Sequence, residues 1–130
     1  MLPTGVRVVI ADHHTHEAQA LAQRLRVAGH HVHLAHEHTR AVSLGELMRP
    51  DAMIIDLELP AIGGDELARQ LRLQPWGTAL QLIALADRAD EQEARRRHDA
   101  GFDEHLQKPA DFDEVLRLIT PQRKQVQITS

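Results

Sequence analysis

The chain has 130 residues, of which 42% are hydrophobic and 26% charged, and its formal net charge is −4. These values are typical of one globular domain and exclude a disordered chain. The absence of cysteine excludes disulfides, thiol nucleophiles and thiolate metal sites. The acidic charge and an aromatic content of 2% argue against a nucleic-acid surface, and no apolar run is long enough to span a bilayer. We therefore expect a cytoplasmic domain that contacts neither nucleic acid nor membrane.

Short apolar runs alternate with helical periodicity along the first half of the chain. The first run covers residues 8–11, and apolar residues at helical spacing follow it until Gly29. In a second strand Val32 and Leu34 alternate with histidines, and the helix after it must end before Pro50. Each of these units predicts a strand followed by a helix.

The second half of the chain repeats this pattern three times. Residues 52–55 form a continuous apolar run, which is typical of a strand covered on both faces, and a helix follows the next turn. Residues 80–85 predict a fourth strand, and residues 89–100 predict a polar helix. Residues 102–106 predict a weak fifth strand, and Asp111 has the residue type and position of an N-cap for a last helix.

Five strand-then-helix units with short connections indicate one fold class. Parallel strands need crossover connections, and right-handed crossovers place helices on both faces of the sheet. We therefore predict a single α/β domain over residues 1–130, a doubly wound five-stranded parallel sheet flanked by helices. Its core is expected at about residues 6–119, with a polar tail at residues 120–130. Ligands of such sheets bind beyond the carboxyl ends of the strands.

Charged side chains follow those strand ends. Asp12 and His13 come directly after the first strand, Asp56 ends the third, and Lys108 follows the fifth. Two carboxylates can hold a hard cation such as Mg²⁺, and an aspartate can attack a phosphoryl group while a lysine offsets its charge. Spacing alone leaves a structural alternative open, in which both aspartates cap turns and Lys108 pairs with one of them.

Four segments carry a resemblance to a known family. They are RVVIADHH at residues 7–14, DAMIIDLELPAIGGDELARQLR at residues 51–72, LIALAD at residues 82–87 and AGFDEHLQKPADFDEVLRLI at residues 100–119. These segments resemble the CheY-like receiver domain of bacterial two-component response regulators and hybrid histidine kinases. The resemblance implies a flavodoxin-like fold. It also implies a phosphorelay function, in which a histidine kinase or phosphotransfer protein donates a phosphoryl group to Asp56.

The resemblance implies a role for each residue at the strand ends. Asp56 matches the phosphoacceptor and Lys108 the lysine that assists it. Asp12, Asp56 and the backbone carbonyl of Glu58 match the ligands of Mg²⁺. His13 stands where the family usually has a second acidic ligand, and imidazole is a poorer ligand for Mg²⁺ than carboxylate, so we expect weakened magnesium binding.

The switch positions of the resembled family also differ here. Ala86 replaces a serine or threonine, and His105 takes the place of the aromatic switch residue. The missing hydroxyl removes a charge-assisted hydrogen bond worth about 1.5 to 3 kcal/mol, which weakens the coupling between phosphate and conformation. Asp87, next to Ala86, either repels phosphate or partly replaces the acidic ligand whose position His13 takes.

These departures leave a second function open. A degenerate receiver would bind a partner without regulated phosphorylation, which His13 and Ala86 both favour. A conventional enzyme is not expected, because the resembled family at most catalyses its own phosphotransfer and dephosphorylation. A phosphate-ester hydrolase using Asp56 is disfavoured, since the residue two positions later, Glu58, offers its carbonyl on the resembled pattern.

Three features outside the strand ends are also open to interpretation. Eight histidines lie between residues 13 and 38, but a transition-metal cluster is disfavoured because alternate strand residues point to opposite faces. Residues 95–97 are expected on an exposed face of the fourth helix with Glu91 and Glu93, or on a partner surface. The resembled family often uses its fourth helix, fifth strand and fifth helix for a homodimer or an output partner. Trp76 is expected to pack on a neighbouring helix.

Overall fold

Strands and helices alternate strictly along residues 5–120, the part of the chain that the computed structural model describes. In chain order the elements are β1 (Arg7–Ala11), α1 (Thr15–Val27), β2 (His31–Ala35), α2 (His38–Met48), β3 (Ala52–Asp56), α3 (Gly63–Arg72), β4 (Gln81–Ala86), α4 (Glu91–Ala100), β5 (Glu104–Gln107) and α5 (Phe112–Ile119). All strand pairs are parallel, and the order in the sheet is β2-β1-β3-β4-β5. The predicted doubly wound fold is confirmed.

Helices cover both faces of the sheet. All five residues of β3, the central strand, are buried. Met53 and Ile55 pack with apolar residues of α2, α3 and α4, whereas Ile54 packs with α1 and α5. Because successive side chains of a strand point to opposite faces, a strand covered on both faces needs this continuous apolar run. The polar side chain of Asp56 follows the run at the carboxyl end of the strand.

The boundaries of the last units differ from the predictions by one or two residues. Residues 89–100 predict the fourth helix, but it begins at Glu91 because the Asp90 side chain accepts a hydrogen bond from the Glu93 N–H and acts as the N-cap. Asp111 caps α5 as predicted, and its side chain accepts a hydrogen bond from the Asp113 N–H. Of the predicted polar tail, residues 121–130 lie outside the described part of the chain.

One basic residue of α4 is not where the sequence analysis places it. The prediction of an exposed face at residues 95–97 is wrong for Arg97, whose side chain is buried. Its Nη2 lies 3.0 Å from Oδ2 of Asp65 on α3, and its Nη1 lies 3.1 Å from Oε1 of Glu93. Arg97 therefore joins α4 to α3, while Arg95 and Arg96 are exposed as expected.

Trp76 packs on a neighbouring helix, as predicted. Its half-buried ring lies against Gly45 of α2, where it leaves no room for a Cβ atom. The helix therefore needs glycine at a position where alanine would favour helix formation more.

Among residues 5–120, no helix combines the length and the apolar character needed to cross a membrane.

The guanidinium of Arg72, at the end of α3, connects three segments of the chain. Its Nη1 donates hydrogen bonds to the carbonyls of Gly77 and Leu80, at 2.8 and 2.6 Å, in the connection before β4. Its Nε donates to the carbonyl of Gly101 at 2.8 Å, and its Nη2 donates to Oδ2 of Asp103 at 2.8 Å. The Arg72 side chain thus donates hydrogen bonds to three carbonyls and one carboxylate, which lie in the connection before β4 and in the connection before β5.

Replacing Arg72 with methionine should lower the free energy of unfolding by about 2 to 4 kcal/mol, because several of these acceptors lose a charged donor at once. The matched control is Arg69→Met on the same helix. Arg69 is exposed and pairs only with Glu66 at 3.3 Å among the described residues, so this change should cost less than about 0.5 kcal/mol. Urea unfolding followed by circular dichroism measures both, and equal losses would contradict the role assigned to Arg72.

Candidate active site

The carboxyl ends of β1, β3 and β5 bring Asp12, Asp56 and Lys108 together. Asp12 follows β1, and its N–H donates to the carbonyl of Ala35 at 2.9 Å. Lys108 follows β5, and its N–H donates to the carbonyl of Ala86 at 2.8 Å. Because these two backbone bonds extend the strand pairing by one residue, they direct both side chains to the edge of the sheet where Asp56 ends β3.

One carboxylate oxygen of Asp56, Oδ1, is held by two donors. The Asp56 side chain is fully buried, and the Lys108 Nζ lies 2.7 Å from Oδ1. The backbone N–H of Glu58 donates to the same oxygen at 2.9 Å. Lys108 also lies 3.7 Å from Oε1 of the exposed Glu58 side chain. Oδ1 is therefore occupied by the ammonium and the turn that follows β3.

The second oxygen of Asp56, Oδ2, faces two imidazoles. The Nδ1 atom of His14 lies 3.0 Å from it, and the Nδ1 atom of His13 lies 3.7 Å from it. His14 Nδ1 is also 3.1 Å from Oδ1 of Asp12, and the His14 backbone N–H donates to that Asp12 oxygen at 2.8 Å. His14 therefore lies between the two carboxylates and is hydrogen bonded to both.

The two carboxyl groups have pKa values that move in opposite directions. Burial raises the pKa of Asp56, but the Lys108 ammonium and the Glu58 N–H outweigh burial and bring it below its ordinary value. Burial raises the pKa of Asp12, and the neighbouring Asp56 carboxylate raises it further despite the N–H of His14. The negative charge of the site is therefore held most firmly on Asp56.

Lys108 and His14 hold their protons more tightly than usual, because the pKa values of both are raised. Burial lowers the pKa of Lys108, but its hydrogen bond to Asp56 and the nearby carboxylates outweigh burial and raise it. Burial also lowers the pKa of His14, and hydrogen bonds to Asp12 and Asp56 outweigh it in the same way. An ionised Asp56 beside a protonated Lys108 is thus the stable state of the site at neutral pH.

His14 is the site residue that the sequence analysis did not single out. The ligand atoms of Asp12, His13, His14 and Asp56 all lie within 4.8 Å of one another. The available signal was the run Asp12-His13-His14 directly after a buried strand, at the edge where the other charged residues converge. Outside this group, four of the remaining histidines between residues 13 and 38 are exposed, as expected: His16, His31, His33 and His36.

Ala86 lies at the carboxyl end of β4, hydrogen bonded through its carbonyl to the N–H of Lys108, and His105 lies beside α4. Ala86 is buried at the end of β4 and offers no hydroxyl. His105 is half-buried in β5 and lines a hollow of about 260 Å³ with residues of α4. Both of its ring nitrogens are buried, and neither has a hydrogen-bond partner among the described residues. Asp87 is exposed and does not belong to the group of four ligand residues.

The side chains at the site do not match an all-oxygen magnesium site. Mg²⁺ prefers oxygen ligands in octahedral geometry and keeps several waters. Asp12 and Asp56 supply suitable oxygens, but imidazole nitrogens of His13 and His14 make up half of the four clustered ligand atoms. His14 also lies within 3.1 Å of both carboxylates, in the space that a hydrated ion would need.

Comparisons with known proteins agree with this geometry. The family model of the response regulator receiver domain matches residues 8–120. Response regulator MprA of Mycobacterium bovis is 33% identical over 112 residues, which cover 86% of this chain and 48% of MprA. The chain therefore spans about half the length of the curated relatives it matches.

Solved structures show the same architecture. The receiver domain of sensor histidine kinase PA1611 from Pseudomonas aeruginosa PAO1, with a magnesium ion coordinated in its active site cleft, is 27% identical with a TM-score of 0.80, covering 88% of this chain and 94% of that one. Chemotaxis response regulator CheY4 of Vibrio cholerae shares the fold, at 21% identity and a TM-score of 0.83, with 89% and 99% of the two chains covered. The family model, which matches most of the chain, confirms the resemblance noted in the sequence: the chain belongs to the response regulator receiver domain family.

Proposed function

We propose that this chain is a phosphorelay receiver and that Asp56 accepts a phosphoryl group from a histidine kinase or a histidine phosphotransfer protein. The observation that carries this proposal is the environment of the Asp56 carboxylate. It is ionised and buried, with Lys108 at 2.7 Å from Oδ1 and the Glu58 N–H on the same oxygen. The rest of the domain is a scaffold for this carboxylate, and it is not a conventional enzyme.

The two oxygens of Asp56 have different parts in the proposed transfer. Oδ2 is the nucleophile, because Oδ1 is engaged by Lys108 and Glu58. Oδ2 forms a bond to phosphorus while the bond from phosphorus to the donor's histidine nitrogen breaks, and that nitrogen keeps the electron pair. Lys108 offsets the charge on the phosphoryl oxygens. His14, at 3.0 Å from Oδ2, must move aside before the donor can approach.

In this proposal, Mg²⁺ binds more weakly than it would at a receiver site with only acidic side chains. Asp12, Asp56 and the backbone carbonyl of Glu58 are its proposed ligands, and bound Mg²⁺ would supply positive charge for phosphoryl oxygens. His13 stands where the resembled family usually has a second acidic ligand, and its Nδ1 lies 3.7 Å from Oδ2 of Asp56. We therefore assign a low affinity for Mg²⁺ to this chain.

The proposed phosphoryl donor approaches from the side of α1 and α5. A hollow of about 240 Å³ opens beside Asp12 and Lys108, and its lining includes Leu21 and Arg24 of α1 and Phe112 of α5. This mostly apolar surface lies next to the reacting carboxylate and suits a protein partner.

A homodimer or an output partner is proposed to use α4, β5 and α5. We propose that these contacts take place in the cytoplasm.

Incubation with acetyl phosphate and Mg²⁺ should add one phosphoryl group to the wild-type chain, as read by mass spectrometry. Asp56→Asn should abolish the modification because it removes the nucleophile. Asp99→Asn, which changes an exposed aspartate of α4 outside the site, should retain it. If the wild type stays unmodified with both the small donor and a cognate kinase, the chain is instead a degenerate receiver that acts as an interaction module.

His13→Asp should bind Mg²⁺ about tenfold more tightly than the wild type, because a carboxylate oxygen replaces an imidazole nitrogen at the site. His16→Asp is the matched control, since it adds the same charge at an exposed position of α1 outside the cluster. Calorimetric titration with MgCl₂ compares the three proteins. Equal affinities for wild type and His13→Asp would show that His13 does not limit magnesium binding.

A beryllofluoride mimic of phosphate should shift amide resonances around Asp56 and Lys108 but change little near His105 and α4. The reason is that Ala86 makes no hydroxyl contact with a phosphoryl group, and the ring nitrogens of His105 are already buried. Because a ligand moves an equilibrium only by its differential affinity for the two states, the distant response is lost with that contact. Ala86→Thr should restore part of it in ¹H–¹⁵N spectra.

Large shifts across α4 in the wild-type protein would contradict this account of Ala86. Ala84→Thr is unsuitable as a control because Ala84 is fully buried in the core. Ala89→Thr serves instead, since Ala89 is exposed in the same connection between β4 and α4 and should leave the distant response unchanged.

A further inference from the structure

We infer that Asp12, His13, His14 and Asp56 form a binding site for a divalent transition-metal ion of the Zn²⁺ class. The side chains at this edge of the sheet do not match an all-oxygen magnesium site. Two imidazole nitrogens and two carboxylate oxygens are a mixed ligand set of the kind that Zn²⁺, Co²⁺ and Ni²⁺ accept. The same set is a poor one for a hard cation, which selects oxygen.

The spacing of the ligand atoms fits a small ion. Four ligands at 2.0–2.1 Å around a tetrahedral ion lie roughly 3.3 Å from one another. In this chain, His14 Nδ1 is 3.1 Å from Asp12 Oδ1 and 3.0 Å from Asp56 Oδ2, and His13 Nδ1 is 3.7 Å from the same Asp56 oxygen. Even the most distant pair of ligand atoms is within 4.8 Å, so modest side-chain rotation closes the set around one ion.

The two imidazoles are already directed at the carboxylates. Their ring centroids are 4.0 Å apart, and the Nδ1 atom of each ring faces Oδ2 of Asp56. The Nδ1 atom of His13 is buried and has no hydrogen-bond partner among the described residues. A buried nitrogen without a partner is unfavourable in a folded protein, and a metal ion would satisfy it.

Hydrogen bonds that do not involve the ion hold the proposed carboxylate ligands in place. Asp56 keeps Lys108 and the Glu58 N–H on Oδ1, so that Oδ2 is the oxygen left for the metal. The His14 N–H holds the Asp12 carboxylate in place at 2.8 Å. Hydrogen bonds of this kind orient carboxylate ligands in metal sites and raise the affinity for the ion.

Such an ion would compete with phosphoryl acceptance, and this consequence rests on the proposed function. A metal bound to Oδ2 of Asp56 covers the oxygen that is proposed to attack phosphorus. The bound ion and the phosphoryl group would therefore exclude each other. The metal site itself does not depend on whether Asp56 is ever phosphorylated.

Titration of the unmodified chain with Co²⁺ alone tests the site, because the visible spectrum of Co²⁺ intensifies when nitrogen and oxygen ligands hold it in tetrahedral geometry. The wild type should bind one Co²⁺ with such a spectrum, and added Zn²⁺ should displace it. His14→Gln should weaken binding at least tenfold, since His14 contacts both carboxylates. His13→Asp should weaken the binding of Zn²⁺ and strengthen the binding of Mg²⁺.

The matched control is the double variant His31→Gln/His33→Gln, which removes two exposed histidines of β2 from outside the cluster. It should bind Co²⁺ as the wild type does, and circular dichroism should show that all variants are folded. The site is overturned if His14→Gln and wild type bind equally, if the control loses as much affinity, or if the bound ion shows only the spectrum of hydrated Co²⁺.

A second measurement tests the competition. Saturating Zn²⁺ should block labelling by acetyl phosphate in the wild type, and a chelator should restore it. Labelling that continues at saturating Zn²⁺ would overturn the mutual exclusion. A wild type that binds Co²⁺ but is never labelled, with or without metal, would remove the proposed function and leave the metal site standing.

Discussion

The ion pair between Asp56 and Lys108 is the interaction on which the rest of the site depends. A fully buried carboxylate is costly unless a counter-ion and hydrogen bonds compensate its loss of water, and at Asp56 both are supplied on a single oxygen. The sheet makes this arrangement available, because β3 is buried on both faces and β5, separated from it by β4, ends at the same edge of the sheet. The second oxygen is hydrogen bonded to His14, and its neighbours determine what chemistry the site can do.

Those neighbours are the imidazoles of His13 and His14, and the nearer one is His14, with its Nδ1 3.0 Å from Oδ2 of Asp56. In the metal site that we infer, the two imidazoles favour a transition-metal ion over magnesium, because ligand softness and geometry decide between these ions. In the proposed phosphotransfer, Ala86 at the end of β4 offers no hydroxyl to a phosphoryl group, so we expect binding at the cleft and movement of the surface to be less tightly coupled.

Most of the fold follows from periodicity that is visible in the sequence, since the short apolar runs at residues 8–11 and 52–55, each followed by helical spacing, are typical of buried strands. The convergence of Asp12, Asp56 and Lys108 follows as well, because parallel strands end at one edge. The place of His14 does not follow, since it depends on the dihedral angles of the turn after β1. Nor does the burial of Arg97, because a helical pattern identifies an exposed face only when the neighbouring helix is known.

The buried side chain of Arg97 has a mechanical consequence. Its bond to Asp65 fastens α4 to the start of α3, while its bond to Glu93 stays within α4, and pulling the helices apart would leave a desolvated charge without one of its partners. Displacing α4 away from α3 therefore carries an electrostatic cost, and a displacement that carries both helices together avoids it. A protein that binds the outer face of α4 would therefore act on α3 as well, whose preceding loop begins at Asp56.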